Sequence, residues 1–400
     1  MILKDFAKKV ILKLLSHIQY GQLSIYADKD KLVVGNTEKY DLKAVLHVHS
    51  DKLYSRIIKR GSIGAAESFM LHEWDSEDAV SLLRLFIRNH DVLLKMDNGI
   101  SKLMQYFWRL CDYFKRNTRE QSRLNISAHY DLGNDFFKLF LDPSLMYSCA
   151  LFKNTNDTLE KASQNKIKLI CEKLNIRSGT HILEIGTGWG GLAIYMAQHY
   201  DCHITTTTIS EEQYQYTQKK IAALGLTEKI TVLKKDYRNL SGTYDRIVSI
   251  EMIEAVGYKF MKNFISQCNQ LLNPQGLLLI QAIIRPDQNY HKVYKEVDFI
   301  KKYIFPGGCL VSTEFLLRES SLYTDLRLFS LMDMGYDYAK TLSAWRDNFF
   351  RELTAIRQLN FNEEFIRMWE YYFIYCEAAF LERYISVVQL AFIKPHYEIS

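Results

Sequence analysis

Two stretches of this 400-residue sequence hold residue types at spacings that could do chemistry. The first is His181-Ile-Leu-Glu-Ile-Gly-Thr-Gly-Trp-Gly-Gly191, an apolar run that ends in the acid Glu184 and a turn dense in glycine. An apolar strand that stops in Gly186-x-Gly188-x-Gly190 and runs into a helix lets bare backbone approach a ligand, because glycine has no side chain to block it. That is a nucleotide-type pocket. The second stretch, residues 125–152, is dense in polar and aromatic side chains, with His129-Tyr-Asp-Leu-Gly-Asn134 and Tyr147-Ser-Cys-Ala150. By itself it names no reaction.

The flanks of the glycine turn favour one cofactor. A dinucleotide site wants G-x-G-x-x-G and an acid at the end of the second strand for the ribose hydroxyls. Here the third glycine comes one residue early, and the second strand ends Thr205-Thr-Thr-Thr-Ile-Ser210 without an acid. Glu184 before a compact Gly-Thr-Gly-Trp-Gly turn suits S-adenosylmethionine, whose cationic amino-acid end lies over the loop. Asp236-Tyr237, after the third strand, stands where a carboxylate could meet the adenine amino group.

The elements that must position these residues alternate. The pattern predicts a helix over 159–174, then strand 181–185, helix 191–199, strand 202–208, helix 211–224, strands 230–234 and 244–250, helix 258–272 and strand 277–284. Helices over 338–358 and 362–383 and a last strand at 387–393 follow. Such alternation specifies a parallel sheet with helices on both faces, with the ligand at the carboxyl ends of the strands. Ahead of it, residues 2–19 carry Leu3, Phe6, Val10, Leu14 and Ile18 at helical spacing with lysines between, an amphipathic basic helix suited to its own domain or to an anionic membrane surface. A hairpin at 22–35, a strand at 44–48 and helical periodicity over 76–114 come next. His47 and His49 share a strand face without a third clustered ligand, so no metal is expected. The charged run 115–123 marks a domain border.

Composition bounds the rest. Hydrophobic residues at 48%, with 18 Gly and 5 Pro, indicate compact globular structure, and 26 Tyr and 22 Phe could line an apolar or cation-handling cavity. Seven cysteines without C-x-x-C or zinc spacing fit neither a disulfide framework nor a structural metal site, and suggest a reducing compartment. A net charge of +5 is too modest to imply nucleic acid. No apolar run approaches the roughly 18 residues of a membrane span, and the lysines near the N-terminus interrupt the apolar stretch that a signal peptide needs.

With the glycine turn, residues 134–152, Thr208-Ile-Ser-Glu-Glu-Gln213, Ser249-Ile-Glu-Met-Ile-Glu-Ala-Val-Gly257 and Tyr303-Ile-Phe-Pro-Gly-Gly-Cys-Leu310 taken together, the chain resembles the cyclopropane-fatty-acyl-phospholipid synthase family over nearly its whole length. Residues 61–75 look like that family's N-terminal lipid-facing domain. The resemblance implies a Rossmann-like class I methyltransferase with a mostly parallel seven-stranded sheet over 123–400 and a smaller α+β lipid-facing domain over 1–122. It implies transfer of a methylene from S-adenosylmethionine across a cis double bond of a phospholipid acyl chain. The alkene attacks the sulfonium methyl and the resulting carbocation must lose a proton to close the ring, which calls for a dry aromatic site with a base near the new methyl.

In the family that base is a bound bicarbonate. By motif, Cys149 and its backbone would place the anion, Glu254 would orient it and Tyr338 would donate a hydrogen bond. Two positions depart from the usual pattern: Ala255 stands where His is common, and Gln281 replaces a bicarbonate-contacting His at the end of the fifth strand. A branch of the family is similar at both places. Cys376 matches a C-terminal cysteine once assigned as catalytic, although the chemistry needs no thiol. For the cofactor, the resemblance places Tyr147 and Ser148 over the methionine end, Gly186 and Gly188 in the loop with Gly190, Thr208 and Gln213 at the ribose, and Asp236 and Tyr237 around adenine. Glu254→Gln is then expected to abolish turnover while cofactor affinity stays within about tenfold.

Simple methyl addition to an acyl chain, or N-methylation of an amine near Glu251 and Glu254, are alternatives on the same fold, and a silent lipid-binding protein is a third. The expected setting is cytoplasmic, peripheral on the inner membrane face, with a homodimer as a further expectation.

Overall fold

The structure, a computed structural model, describes residues 2–28, 30–90, 132–288, 290 and 297–398. The charged run at 115–123, the helical periodicity beyond residue 90 and His129-Tyr-Asp131 fall outside these residues. The chain forms two compact units, the first made of Met1–Arg116, Val297–Ile304 and Leu353–Tyr384, the second of Asn117–Glu296, Phe305–Glu352 and Ile385–Ser400. The first unit thus takes in two segments from beyond residue 122. The reason is the helix Glu363–Leu381, apolar nearly all round, which must be covered on most sides. Ile366, Trp369, Phe373 and Phe380 are buried, and the helix packs on Lys52–Met70 and Ala79–Arg88. Glu382 at its end takes ion pairs from Arg84 and Arg88.

In the first unit, β1 (Gly21–Ala27) pairs antiparallel with β2 (Asp30–Asn36) and parallel with β3 (Lys43–Val48), and β4 (Trp74–Asp75) completes the sheet in the order β2-β1-β3-β4. The first helix, Ile2–Leu15, buries Ala7, Ile11 and Leu15 against Lys52–Met70 and leaves Phe6 58% exposed. Within the helix the buried stripe thus lies one position further along than Phe6, Val10 and Leu14, while Ile18 beyond it is buried as expected, and Phe6 is exposed on the face that carries Lys9 and Lys13. The stretch 61–75 is mostly interior: Ala66, Ser68, Phe69 and Met70 are buried, and Glu67 is held by Arg60, Lys302 and Tyr303. His49 is not isolated as expected. Asp75 Oδ2 lies 2.8 Å from its Nε2 and the His72 ring 4.9 Å away, because the turn between Met70 and β4 returns beside the end of β3.

The second unit is a seven-stranded sheet in the order β10-β11-β9-β8-β5-β6-β7, made of β5 (Thr180–Ile185), β6 (Cys202–Thr208), β7 (Ile230–Lys234), β8 (Tyr244–Ile250), β9 (Leu272–Ile284), β10 (Arg327–Asp333) and β11 (Ser386–Ile393). All neighbours are parallel except β11, which runs antiparallel between β9 and β10. Alternate residues of each strand feed two cores, Leu183, Ile185, Leu278 and Ile280 on one face, Ile182, Ile204, Leu277 and Leu279 on the other. This is the doubly wound, mostly parallel seven-stranded sheet that the resemblance implies. Sequence pattern missed β10 and the helix Thr313–Tyr323; β10 is an edge strand that exposes Leu328, Phe329 and Leu331, so no buried alternation betrays it.

Candidate active site

At the end of β5 the chain turns through Gly186 (φ 104°), Gly188 (φ 53°) and Gly190 (φ 81°) before the helix Gly191–His199. The N–H groups of Gly186 and Thr187 both bond to Thr207 O at 3.0 Å, which ties the turn to β6. A Cβ on Gly186 would press on Met252 at 3.2 Å, whereas one on Gly188 would meet nothing within 4 Å. The turn is bare on the Gly188 side, as close backbone approach to a ligand requires. Behind it Glu184 is buried and pushed up to about 8 by that burial, against the opposing pull of Thr206, whose hydroxyl donates at 2.5 Å.

Met252, which touches this turn, follows Glu251, and Glu251 is the hub of a second cluster. Its backbone is left-handed (φ 50°), rare for a residue other than glycine and typical of functional sites. Oε1 accepts from the Cys149 backbone N–H at 2.9 Å and from Gln281 Nε2 at 2.7 Å, and Oε2 accepts from the Tyr338 hydroxyl at 2.6 Å. Gln281 and Gln389 are register partners on β9 and β11. Gln389 Nε2 donates to Gln281 Oε1 at 2.9 Å, and Lys173 Nζ to Gln389 Oε1 at 2.7 Å. An ammonium can only donate, so it fixes both amides and aims the Gln281 N–H at Glu251. Tyr338 sits in the first turns of the helix Gly335–Arg351, to which the loop carrying Cys149 is pinned by Ala150 N–Thr341 Oγ1 and Phe152 N–Asp337 Oδ1.

The two acids of this corner differ. Burial pushes both upward from the usual carboxylate range, but Glu251 has three donors and the nearby Lys166 ammonium working against that push. Glu254 accepts from Ile283 N–H at 2.6 Å, and burial with the Glu251 charge raises it to about 8. Its Oε2 is buried without a partner among the described residues. Glu254 therefore keeps its proton near neutral pH, while the donors around Glu251 favour the charged form of that carboxyl.

A family described as mycolic acid cyclopropane synthetase matches residues 117–390. The chain belongs to that family. It is 36% identical over 361 residues to a tuberculostearic acid methyltransferase of Mycobacterium tuberculosis, covering 87% of this chain and 83% of that protein. To the cyclopropane-fatty-acyl-phospholipid synthase of Escherichia coli it is 35% identical over 352 residues, covering 87% of each. A solved mycolic acid cyclopropane synthase, complexed with SAH and CTAB, superposes with a TM-score of 0.64 at 30% identity, covering 68% of this chain and 98% of that one. This member of the family is thus an S-adenosylmethionine-dependent methyltransferase, with S-adenosylmethionine as its cofactor.

Within the family frame, the structure gathers Cys149, Gln281 and Tyr338 around Glu251 and leaves Glu254 on Ile283. Burial pushes the Cys149 thiol well up, and its Sγ points to the carbonyls of Ala150 and Met334, so its contribution is the backbone N–H. A bound bicarbonate does not fit this donor set. Cys149 N–H and Tyr338 O–H carry one proton each, both already given to Glu251, and an added anion would lie against that carboxyl group. Cys376 belongs to the first unit, on Glu363–Leu381, where burial raises its thiol.

Around the glycine turn, Trp189, Phe137, Tyr147, Trp345 and Tyr338 form a continuous chain of rings with centroids 4.9 to 6.0 Å apart. It links the glycine turn to Glu251 with an aromatic wall able to stabilise cationic character. Ser148 accepts from the fully buried Lys166 Nζ at 2.6 Å. Thr208 donates to Gln213 at 2.8 Å, both buried beside the N-terminus of Glu211–Ala223. Two adenine candidates are otherwise engaged: Arg238 grips both carboxylate oxygens of Asp236, at 2.8 and 2.6 Å, and the Tyr237 ring is in the core, edge-on to Phe264. Gln389, Lys173 and Lys166 escaped sequence reading; the only available sign was the spacing of the two lysines, seven apart on one face of Leu159–Leu174.

Proposed function

We propose that this methyltransferase adds the sulfonium methyl carbon of S-adenosylmethionine to the cis double bond of an unsaturated phospholipid acyl chain and closes it to a cyclopropane. The alkene π pair forms a bond to the methyl carbon as the C–S bond breaks and its electrons pass to sulfur. The neighbouring chain carbon becomes cationic. Loss of a proton from the new methyl group then supplies the electron pair that closes the ring. One observation carries the reading: Met252, the residue after Glu251, packs against Gly186 of the glycine turn, so a cofactor held on that turn would be near the buried Glu251 carboxyl, with the aromatic wall from Trp189 to Tyr338 beside both. Such surroundings favour a cation and exclude water.

A second reading, addition of a methyl branch without ring closure, is favoured by the similarity to a tuberculostearic acid methyltransferase. The two share every step up to the cation and differ in which proton leaves. Expression in bacteria devoid of cyclopropane lipids, followed by mass spectrometry of the fatty acids, separates them. Gain of one CH2 with loss of the double bond supports cyclopropanation, a methyl or methylene branch supports the second reading, and unchanged lipids beside a methylated amine reject both.

The first unit is the part proposed to meet the bilayer. Phe6 stands exposed on the helix face that also carries Lys9 and Lys13, an arrangement suited to an anionic surface, which would place the enzyme peripherally on the inner face of a membrane. Among the described residues no helix is long and apolar enough to cross a membrane. Removal of residues 1–20 is expected to reduce co-sedimentation with anionic liposomes; unchanged binding argues against this contact.

A further inference from the structure

The donors that the family resemblance assigns to a bound bicarbonate, Cys149 N–H, Gln281 Nε2 and Tyr338 O–H, all close on one carboxylate of the chain itself. We propose that Glu251 is the built-in proton acceptor of the reaction, a side-chain carboxylate standing where relatives would hold a separate anion. This rests on the alkylation of an alkene set out above, which needs a base beside the nascent methyl group.

Three features carry the assignment. The strained φ of 50° at Glu251 turns its side chain to the carboxyl edge of the sheet, one residue before the contact with the cofactor turn. The ionised form is held by three donors and by the Lys166 charge, with the Lys173–Gln389–Gln281 chain fixing the direction of one donor. Among the described residues, three donors leave Oε2 with a lone pair unspent, since a carboxylate offers about four acceptor positions. In the step itself, a C–H bond of the new methyl breaks, its electron pair closes the C–C bond of the ring, and the proton passes to that lone pair. Glu251 ends neutral, and the proton goes to bulk water on product release.

Left-handed backbone is costly for most residues and free for glycine, so Glu251→Gly removes the carboxylate, opens the donor set and relaxes the strain in one change. The wild type, Glu251→Gln and Glu251→Gly would be assayed with S-adenosylmethionine and unsaturated phospholipid vesicles, with cofactor affinity measured alongside. Both variants should lose roughly 10²- to 10⁴-fold in kcat, the range for removal of a general base, with cofactor Kd within about tenfold of the wild type. Added bicarbonate or formate should restore turnover to Glu251→Gly saturably and leave Glu251→Gln unmoved, because the glutamine amide still fills the space. Near-normal kcat in Glu251→Gln, or no anion rescue of a folded, cofactor-binding Glu251→Gly, overturns the proposal. If the wild type adds no carbon to any acyl chain, the alkylation reading fails, and this failure is separable from the first.

Discussion

The turn after β5 and the turn after β8 lie in contact at the carboxyl edge of one sheet, and both need backbone with positive φ. The first meets the need with glycine at 186, 188 and 190; the second places Glu251 there, a residue that adopts φ 50° only under constraint. Where a ligand must lie on the backbone, the sequence removes side chains. Where a side chain must be delivered to a fixed point, it accepts strain of about 1–3 kcal/mol, and the surrounding hydrogen bonds hold the residue in place. The glycine turn is thus local to a dozen residues, while the acid cluster draws on segments near 149, 166, 281, 338 and 389.

Three changes would break or sharpen that contrast. The largest effect is expected from Gly188→Val, which fills the open side of the first turn and leaves the Glu251 donors untouched. Cofactor Kd should rise on the order of a hundredfold by calorimetry, about 2.7 kcal/mol, and kcat at saturating cofactor should change far less. Tyr338→Phe probes the other side. Loss of a hydrogen bond to a charged group is worth about 1.5–3 kcal/mol, so kcat should fall by roughly ten- to a hundredfold with cofactor affinity unchanged. Since that donor stabilises the ionised form, its loss raises Glu251 further, and the limb on which activity disappears as pH falls should move to higher pH. Glu254→Gln should do least. An acid that already carries its proton near neutral pH is mimicked by the amide, and kcat should stay within about threefold of the wild type. A loss of turnover there, the outcome expected from sequence, would return the central role to Glu254.

The fold was largely legible because apolar periodicity is written into contiguous residues. The strands at 202–208, 230–234 and 244–250 and the helix at 159–174 match their predicted spans. The exposed edge strand β10 carries no such signal, and Glu363–Leu381 reads as a helix without stating which unit it covers. At the site, the glycine turn announces itself locally. Tyr338, Cys149 and Gln281 are reached through motif resemblance, which implies an outside anion as their partner; nothing local in the sequence marks Glu251 above Glu254. Gln389 and Lys173 act only through tertiary hydrogen bonds, and no spacing in the chain reveals such bonds.

Buried acids also leave a thermodynamic mark. Glu184 and Glu254 are each raised from 4.5 to about 8, so the folded state holds protons that the unfolded state releases between those values. Stability contributed by these two groups is full below about pH 4.5 and is lost as pH rises toward 8. In apoprotein the dependence of Tm on pH over that window should flatten in Glu184→Gln; an unchanged slope would mean that the carboxyl is ionised in the fold.

The central claim, that the chain supplies its own base, is tested most directly by wild-type turnover in buffer stripped of carbon dioxide and then titrated with bicarbonate. With Glu251 occupying the donor set, kcat should be the same before and after the titration. Turnover that collapses on stripping and recovers with bicarbonate would show that an outside anion takes the proton, contradicting the assignment to Glu251.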